Sequence, residues 1–172
     1  MLPSAPTGTI VTDANILINL IHAGRLELLS ALASFEFVVP DEVVAEITIP
    51  AQREQLDTAL TRGDLRKESI TDLNELAAYA ELRRVMGKGE AACLAMAEAR
   101  GWMIASDEKK RFRREVTARL GLERLVTTAG LFVIAIRAGV ISVEEADQAK
   151  EILERHRFRM AFRSFRELVE NH

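Results

Sequence analysis

The chain has 172 residues, 48% of them hydrophobic and 28% charged, with a net charge of −3. This length suits one domain with a substantial core, no apolar run nears the roughly 20 residues that span a bilayer, and a chain binding nucleic acid by general attraction would be basic overall. The start, M-L-P-S-A-P-T-G, lacks the basic opening and apolar centre of a signal peptide, so a cytoplasmic protein with no membrane partner is expected.

The first predicted strand is Thr9–Thr12. A helix follows over Ala14–Ile21, where Ile16, Leu17, Leu20 and Ile21 recur at helical spacing, and Gly24 stops it. R-L-E-L-L-S-A-L-A reads as a second short helix, and Phe35–Val39, β-branched and aromatic, as a strand. Pro40 and Asp41 open the helix D-E-V-V-A-E-I, whose first turn carries acids. Pro50 interrupts, a polar helix over Gln52–Arg62 reaches Gly63, and a strand is expected near Leu65–Ile70. Thr71 or Asp72 caps D-L-N-E-L-A-A-Y-A-E-L-R-R-V-M, which Gly87-Lys88-Gly89 breaks. Glu90 begins an alanine-rich helix ended by Gly101. The sole cysteine, Cys93, lies in its A-A-C-L-A-M-A run, so it reads as a small buried hydrophobe and leaves no intrachain disulfide.

Trp102–Ser106 is the next strand, followed by the basic helix K-K-R-F-R-R-E-V-T-A-R-L up to Gly121. Leu125–Thr127 is a small strand and L-F-V-I-A-I-R-A a helix ended by Gly139. Ser142, with Glu145 three residues on, has capping-box spacing for a helix that continues to near the end of the chain. The alternation predicts an α/β fold: a mostly parallel central sheet covered by helices on both faces, with a helical C-terminal extension. One domain is expected over 1–172, its core about 7–141 and its C-terminal helices about 142–170.

Asp13 and Asp107 each follow a short apolar strand, Glu46 lies in V-P-D-E-V-V-A-E-I, and Glu90 follows a Gly-Lys-Gly turn. Each has a plain structural reading. Asp13 and Asp107 could cap the helices behind them, Glu46 could be a solvated helix residue, and Glu90 a favourable first-turn charge. Together they suggest chemistry, because neighbouring parallel strands end on one edge and their terminal acids converge where ligands collect. Hard cations such as Mg²⁺ take carboxylates together with waters and substrate phosphates, and ions held that way stabilise the oxygens of a phosphoryl displacement. His22, His156 and His172 show no metal-ligand spacing.

Four motifs in this order resemble the PIN-domain nucleases, the fold of the VapC-type toxins. They are V-T-D-A-N-I-L-I-N-L, V-V-P-D-E-V-V-A-E-I, G-K-G-E-A-A-C-L-A-M-A and I-A-S-D-E-K-K-R-F-R-R, spread over roughly 9–141. The stretch T-A-G-L-F-V-I-A-I-R-A-G-V-I resembles the ending of a PIN subgroup. The resemblance implies that Asp13, Glu90 and Asp107 hold Mg²⁺ or Mn²⁺, with Glu46 completing a catalytic pocket. It implies that Asn15 orients Asp13 by hydrogen bonding, and that the substrate is RNA. An antitoxin protein and a homodimer are the partners it suggests. In that subgroup the fourth motif often reads D-D-x-x-A-R. Here the second acid is Glu108 and the alanine-arginine pair is replaced by Arg111-Phe112, so Glu108 is carried only as an auxiliary group.

Local charge departs from the net value. Asp107–Arg119 holds six cations against three acids. Lys109, Lys110, Arg111, Arg113 and Arg114, with Lys88 before Glu90, are candidate phosphate contacts that position a strand without reading its sequence. Arg155–Arg166 holds five arginines and no acid. There Phe158, Phe162 and Phe165 fall at i, i+4 and i+7, one face of a helix that would pack on the core, a second copy or a partner. A non-catalytic RNA- or protein-binding module is the competing function. A phosphatase starting from a strand-end aspartate would need a second aspartate where Asn15 stands.

Overall fold

The computed structural model describes residues 8–171. In chain order its elements are β1 (Gly8–Thr12), α1 (Ala14–His22), α2 (Leu28–Ala31), β2 (Phe35–Pro40), α3 (Asp41–Glu46), α4 (Pro50–Arg62), β3 (Arg66–Glu68) and α5 (Leu73–Leu82). They continue with α6 (Lys88–Arg100), β4 (Met103–Ala105), α7 (Arg111–Arg119), β5 (Leu125–Val126), α8 (Thr128–Arg137), α9 (Val143–Arg155) and α10 (Arg166–Val169). Among the described residues no helix is long and apolar enough to cross a membrane.

The strands form one all-parallel sheet in the order β3-β2-β1-β4-β5. Parallel neighbours need crossover connections, and right-handed crossovers running both ways from β1 put helices on both faces. Accordingly α1 packs with α4, α8 and α9, and α6 with α5 and α7. The chain steps from β1 outward to β2 and β3, then returns past β1 to β4 and β5. That reversal opens a crevice between the carboxyl ends of β1 and β4, where open α/β sheets bind ligands. Thr12 pairs with Ala105 at this point, and the Asp13 N–H donates to the Ala105 carbonyl at 3.0 Å. The residues that follow the two strands are thereby held on one edge.

Covering both faces explains why the strands read as continuous apolar runs rather than alternating ones. Ile10, Val11, Val38 and Val39 are fully buried, as is every residue of α6 from Ala91 to Ala97. A helix apolar all round is a buried helix, and the alanines of α6 let its backbone lie close to the sheet. Gly101 ends it in the left-handed region at φ 71°. Pro50 proves to be the first residue of α4 rather than an interruption, because a first-turn N–H needs no partner.

The C-terminal extension departs from the expected continuous helix. α9 stops at Arg155, the chain turns through Arg157 at φ 67°, and 156–165 is not helical. Asp147 of α9 captures the Ser164 hydroxyl at 2.6 Å and the Phe165 N–H at 2.8 Å, which draws the segment back over its own helix. Phe165 is fully buried against Phe132 and Phe162, with ring centroids 5.6 and 4.9 Å away. Phe158 and Phe162 are only half-buried against the core. The phenylalanines do pack within the chain, but from an extended segment and not from one helix face.

Candidate active site

Thr12 ends β1 with its hydroxyl on the Val38 carbonyl at 2.8 Å, and Asp13 follows as the N-cap of α1. One Asp13 carboxylate oxygen accepts from the Ala14 N–H at 2.8 Å and the other from the Ser106 hydroxyl at 3.0 Å. The side chain is only 3% exposed. Burial raises its pKa to about 6, and the charges of Glu46 and Glu108 add to the rise. The hydrogen bonds from Ala14 and Ser106 oppose it without cancelling it.

Glu46 ends α3 and presses its carboxylate onto the first turn of α6. It accepts from the Gly89 N–H at 2.9 Å. A Cβ on Gly89 would stand 2.7 Å from both Glu46 oxygens, so a side chain there would displace the Glu46 carboxylate from this turn. The N-terminus of α6 also offers a favourable dipole to the charge. Glu90, next along that turn, is half-buried. Burial, then the charges of Glu108, Asp13 and Glu46, raise its pKa to about 7.

Asp107 behaves differently. It does not cap α7, whose N-cap is Lys110. Its carboxylate instead binds the start of α8, accepting from the Thr128 N–H at 2.8 Å and from the Thr128 hydroxyl, with Asn19 Nδ2 at 3.0 Å. Burial raises its pKa first, and Glu108 adds to that. Asn15 does not orient Asp13. Its Oδ1 accepts from the Asp107 N–H at 3.2 Å and its Nδ2 donates to Glu108 Oε1 at 3.1 Å. Asn15 therefore fastens the loop after β4 and aims Glu108, which acts electrostatically on Asp13, Glu90 and Asp107 alike.

The arrangement brings four carboxylates together from four segments: Asp13, Glu46, Glu90 and Glu108. A fifth, Glu42, was not anticipated, although it lies one helical turn before Glu46. Its Oε2 is buried with no hydrogen-bond partner among the described residues. The charges of Asp13, Glu46, Glu42 and Glu90 add to burial in pushing the Cys93 thiol well above its ordinary value, so that thiol is inert. None of these acids forms an ion pair among the described residues. Nor does any group of three or more His, Cys, Asp or Glu stand close enough there to hold a metal ion. The donor set still suits a hard cation, being all carboxylate, unneutralised, and carrying an orphaned oxygen at Glu42. The acids repel one another, as the raised pKa values of Asp13 and Glu90 show.

The PIN-domain family DUF3368 matches residues 9–172. The chain belongs to this PIN-domain family. Among solved structures, the PIN domain is similar to VapBC2 from Rickettsia felis bound to a DNA fragment from its promoter, at 18% identity and a TM-score of 0.48, over 69% of this chain and 96% of that one. It is also similar to a toxin-antitoxin complex from Klebsiella pneumoniae, at 22% identity and a TM-score of 0.47, over 73% of this chain and 98% of that one. No curated protein matches it.

Lys88, Lys109, Lys110, Arg113 and Arg114 are exposed, and none is in an ion pair among the described residues. Lys109 and Lys110 lie in the turn before α7 rather than on the helix. Arg111 donates to the Val85 carbonyl at 3.2 Å, and Arg119 is absorbed by Glu81, Glu98 and Glu115. Asn19 within α1, Ser106 just past β4 and Thr128 at the start of α8 were not singled out from the sequence, since the acid each one holds lies far along the chain. A cleft of about 740 Å³ opens at the amino ends of β2 and β3, between Phe35, Phe37, Leu60 and Leu65. It lies at the end of the sheet away from the acids and gathers none of these groups.

Proposed function

We propose that this PIN domain is a metal-dependent endoribonuclease. The observation that supports it is the meeting of Asp13, Glu46, Glu90 and Glu108 at the switch point of the sheet with no cation beside them. Unneutralised like charges raise one another's pKa around buried Asp13, and such a group is a candidate functional site. Asp13, Glu90 and Asp107 would hold Mg²⁺ or Mn²⁺, with Glu46 completing the pocket and Glu108 standing as a full member rather than an auxiliary. The ion, when bound, supplies charge stabilisation for hydrolysis of a phosphodiester.

The chain supplies orientation. Ser106 and the Ala14 N–H hold the Asp13 carboxylate, and the Gly89 N–H holds that of Glu46. Asn15 holds Glu108, while Thr128 and Asn19 hold Asp107. Such supporting partners are each worth roughly 10–100-fold in metal affinity or activity. Lys88, Lys109, Lys110, Arg113 and Arg114 are free to contact phosphates flanking the cut. As the biological setting we propose the toxin of a toxin-antitoxin pair, on the resemblance of the four motifs and of the T-A-G-L-F-V-I-A-I-R-A-G-V-I ending. An antitoxin and a second copy of the chain are the proposed protein partners.

The competing reading, an RNA-binding module without catalysis, is favoured by one observation, the lack of a preformed three-acid metal group among the described residues. A labelled RNA pool incubated with Mn²⁺ or Mg²⁺ separates the two. Metal-dependent cutting, lost by at least about 10²-fold in Asp13→Asn, is the expected result. No cutting together with no Mn²⁺ binding by calorimetry would sink the nuclease.

A further inference from the structure

The arginine-rich segment after α9 takes no part in the acid site. Its residues alternate in exposure. Arg157, Arg159, Ala161 and Arg163 are exposed, whereas Phe158, Met160, Phe162 and Ser164 between them are half-buried. The alternation leaves one side of this non-helical segment down, through a turn at 156–157 and a bend at 161–163. The down side is anchored, because Phe158, Met160 and Phe162 pack on the core, Phe162 meets Phe165 edge-on at 4.9 Å, and Asp147 holds Ser164 and the Phe165 N–H. The segment is therefore a fixed strap and not a loose tail.

Its outer side is strongly basic. Arg155, Arg157, Arg159 and Arg163 are all exposed, and none makes an ion pair or a side-chain hydrogen bond among the described residues. Arg166 alone is neutralised, by Glu144 and Glu170. Arg100 and Arg119, by contrast, are used up in networks. Three unpaired arginines, Arg157, Arg159 and Arg163, lie together on the anchored strap just past unpaired Arg155 at the end of α9, with no part in holding the fold. Guanidinium groups are weakly hydrated forks that suit phosphate oxygens.

We propose that this strap is a second RNA-binding surface that grips the phosphodiester backbone away from the acids. The inference rests on the RNA reading of the acid pocket. His156, at the head of the strap, stacks on His22 with ring centroids 3.8 Å apart. His22 is the last residue of α1 and Asp13 caps the first, so the two sites are separated by a helix roughly 13 Å long at about 1.5 Å per residue. The contacts carry affinity rather than sequence selectivity, because phosphates look alike along a strand.

The test is fluorescence anisotropy of the full chain with a labelled single-stranded RNA, in chelator so that nothing is cut, across a salt series. The triple variant Arg157→Gln, Arg159→Gln, Arg163→Gln should bind about tenfold more weakly. Its slope of log K against log salt should be shallower by about 2, at roughly 0.7 for each phosphate of a single strand that is no longer neutralised. The corresponding triple Arg→Lys variant, which keeps the charge and the anchoring phenylalanines, should recover most of the slope and shows that the fold has survived. Equal affinity and slope for wild type and the Gln variant overturn the proposal and leave the strap to an acidic protein surface. Absence of RNA binding by wild type also overturns it. Metal-dependent cleavage by wild type is scored separately, so a failed strap and a failed nuclease give different results.

Discussion

Glu75 and Asp13, each at the head of a set of acids in this PIN domain, are nearly equal in exposure and opposite in electrostatics. Glu75, 2% exposed, accepts hydrogen bonds from Arg100 at 2.5 and 2.9 Å, and that guanidinium holds its carboxyl below the usual range. Arg100 also binds Glu68 at 2.9 Å and lies over the Trp102 ring at 4.8 Å, joining α6 to β3, α5 and the approach to β4. Asp13, 3% exposed, has no cation beside it, and burial raises its pKa to about 6. A buried carboxylate is tolerable when paired and costly when not. The first set fastens the fold. The second is held at the expense of stability, which marks it as a candidate functional site.

The largest expected effect breaks the paired set. Arg100→Ala leaves Glu75 buried without its partner and should cost about 3 kcal/mol, a fall in melting temperature of roughly 6–12 °C at this chain length. A change under about 1 kcal/mol in a thermal or urea melt would remove the contrast.

The second effect is in pH. With pKa values raised by folding, Asp13 and Glu90 bind protons more tightly in the folded state than in the unfolded chain. Their contribution is neutral below about pH 4 and turns increasingly destabilising as pH rises through 6 to 7. The metal-free protein should therefore lose about 3 kcal/mol from Asp13 between pH 4 and 8, with a smaller loss from half-exposed Glu90, whose charge solvent screens. Glu75 acts in the opposite sense: its lowered pKa stabilises above the unfolded value, and that stability is lost as pH falls through the folded one. Denaturant melts across this range check both signs, and added Mn²⁺ should restore stability at pH 8 but not at pH 5.

Smaller effects sharpen the unpaired set. Glu42→Gln should weaken Mn²⁺ binding about tenfold by calorimetry, if its orphaned oxygen faces the ion or its waters. An unchanged affinity would leave Glu42 a bystander. Asn19→Ala removes one of the donors to Asp107 Oδ2. It should lower RNA cleavage several-fold and stability by about 1 kcal/mol. Unaltered cleavage would show that Thr128 alone suffices to hold Asp107.

The fold was largely legible in the chain. Apolar runs ended by acids or prolines marked the strands, and Gly24, Gly63, Gly101 and Gly139 marked where helices stop, because these signals act within a few residues. The C-terminal segment misled for the same reason. Phe158, Phe162 and Phe165 have helical spacing, yet a bond from Asp147, 18 residues from Phe165, draws the chain into an extended strap. Longer-range packing overrode local periodicity there.

The candidate site divides along the same line. Strand-end position alone marked Asp13 and Asp107, and a glycine-flanked helix start marked Glu90, since both follow from local geometry. Only the tertiary structure decided which acids stand together. It turned Asp107 to Thr128 and to Asn19, 21 and 88 residues away, and it used Asn15 to aim Glu108 across 93 residues. It also exposed the orphaned oxygen of Glu42. A sequence determines what each short segment prefers; partners so far apart are chosen by the order of strands in the sheet, and that order exists only once the chain has crossed back over β1.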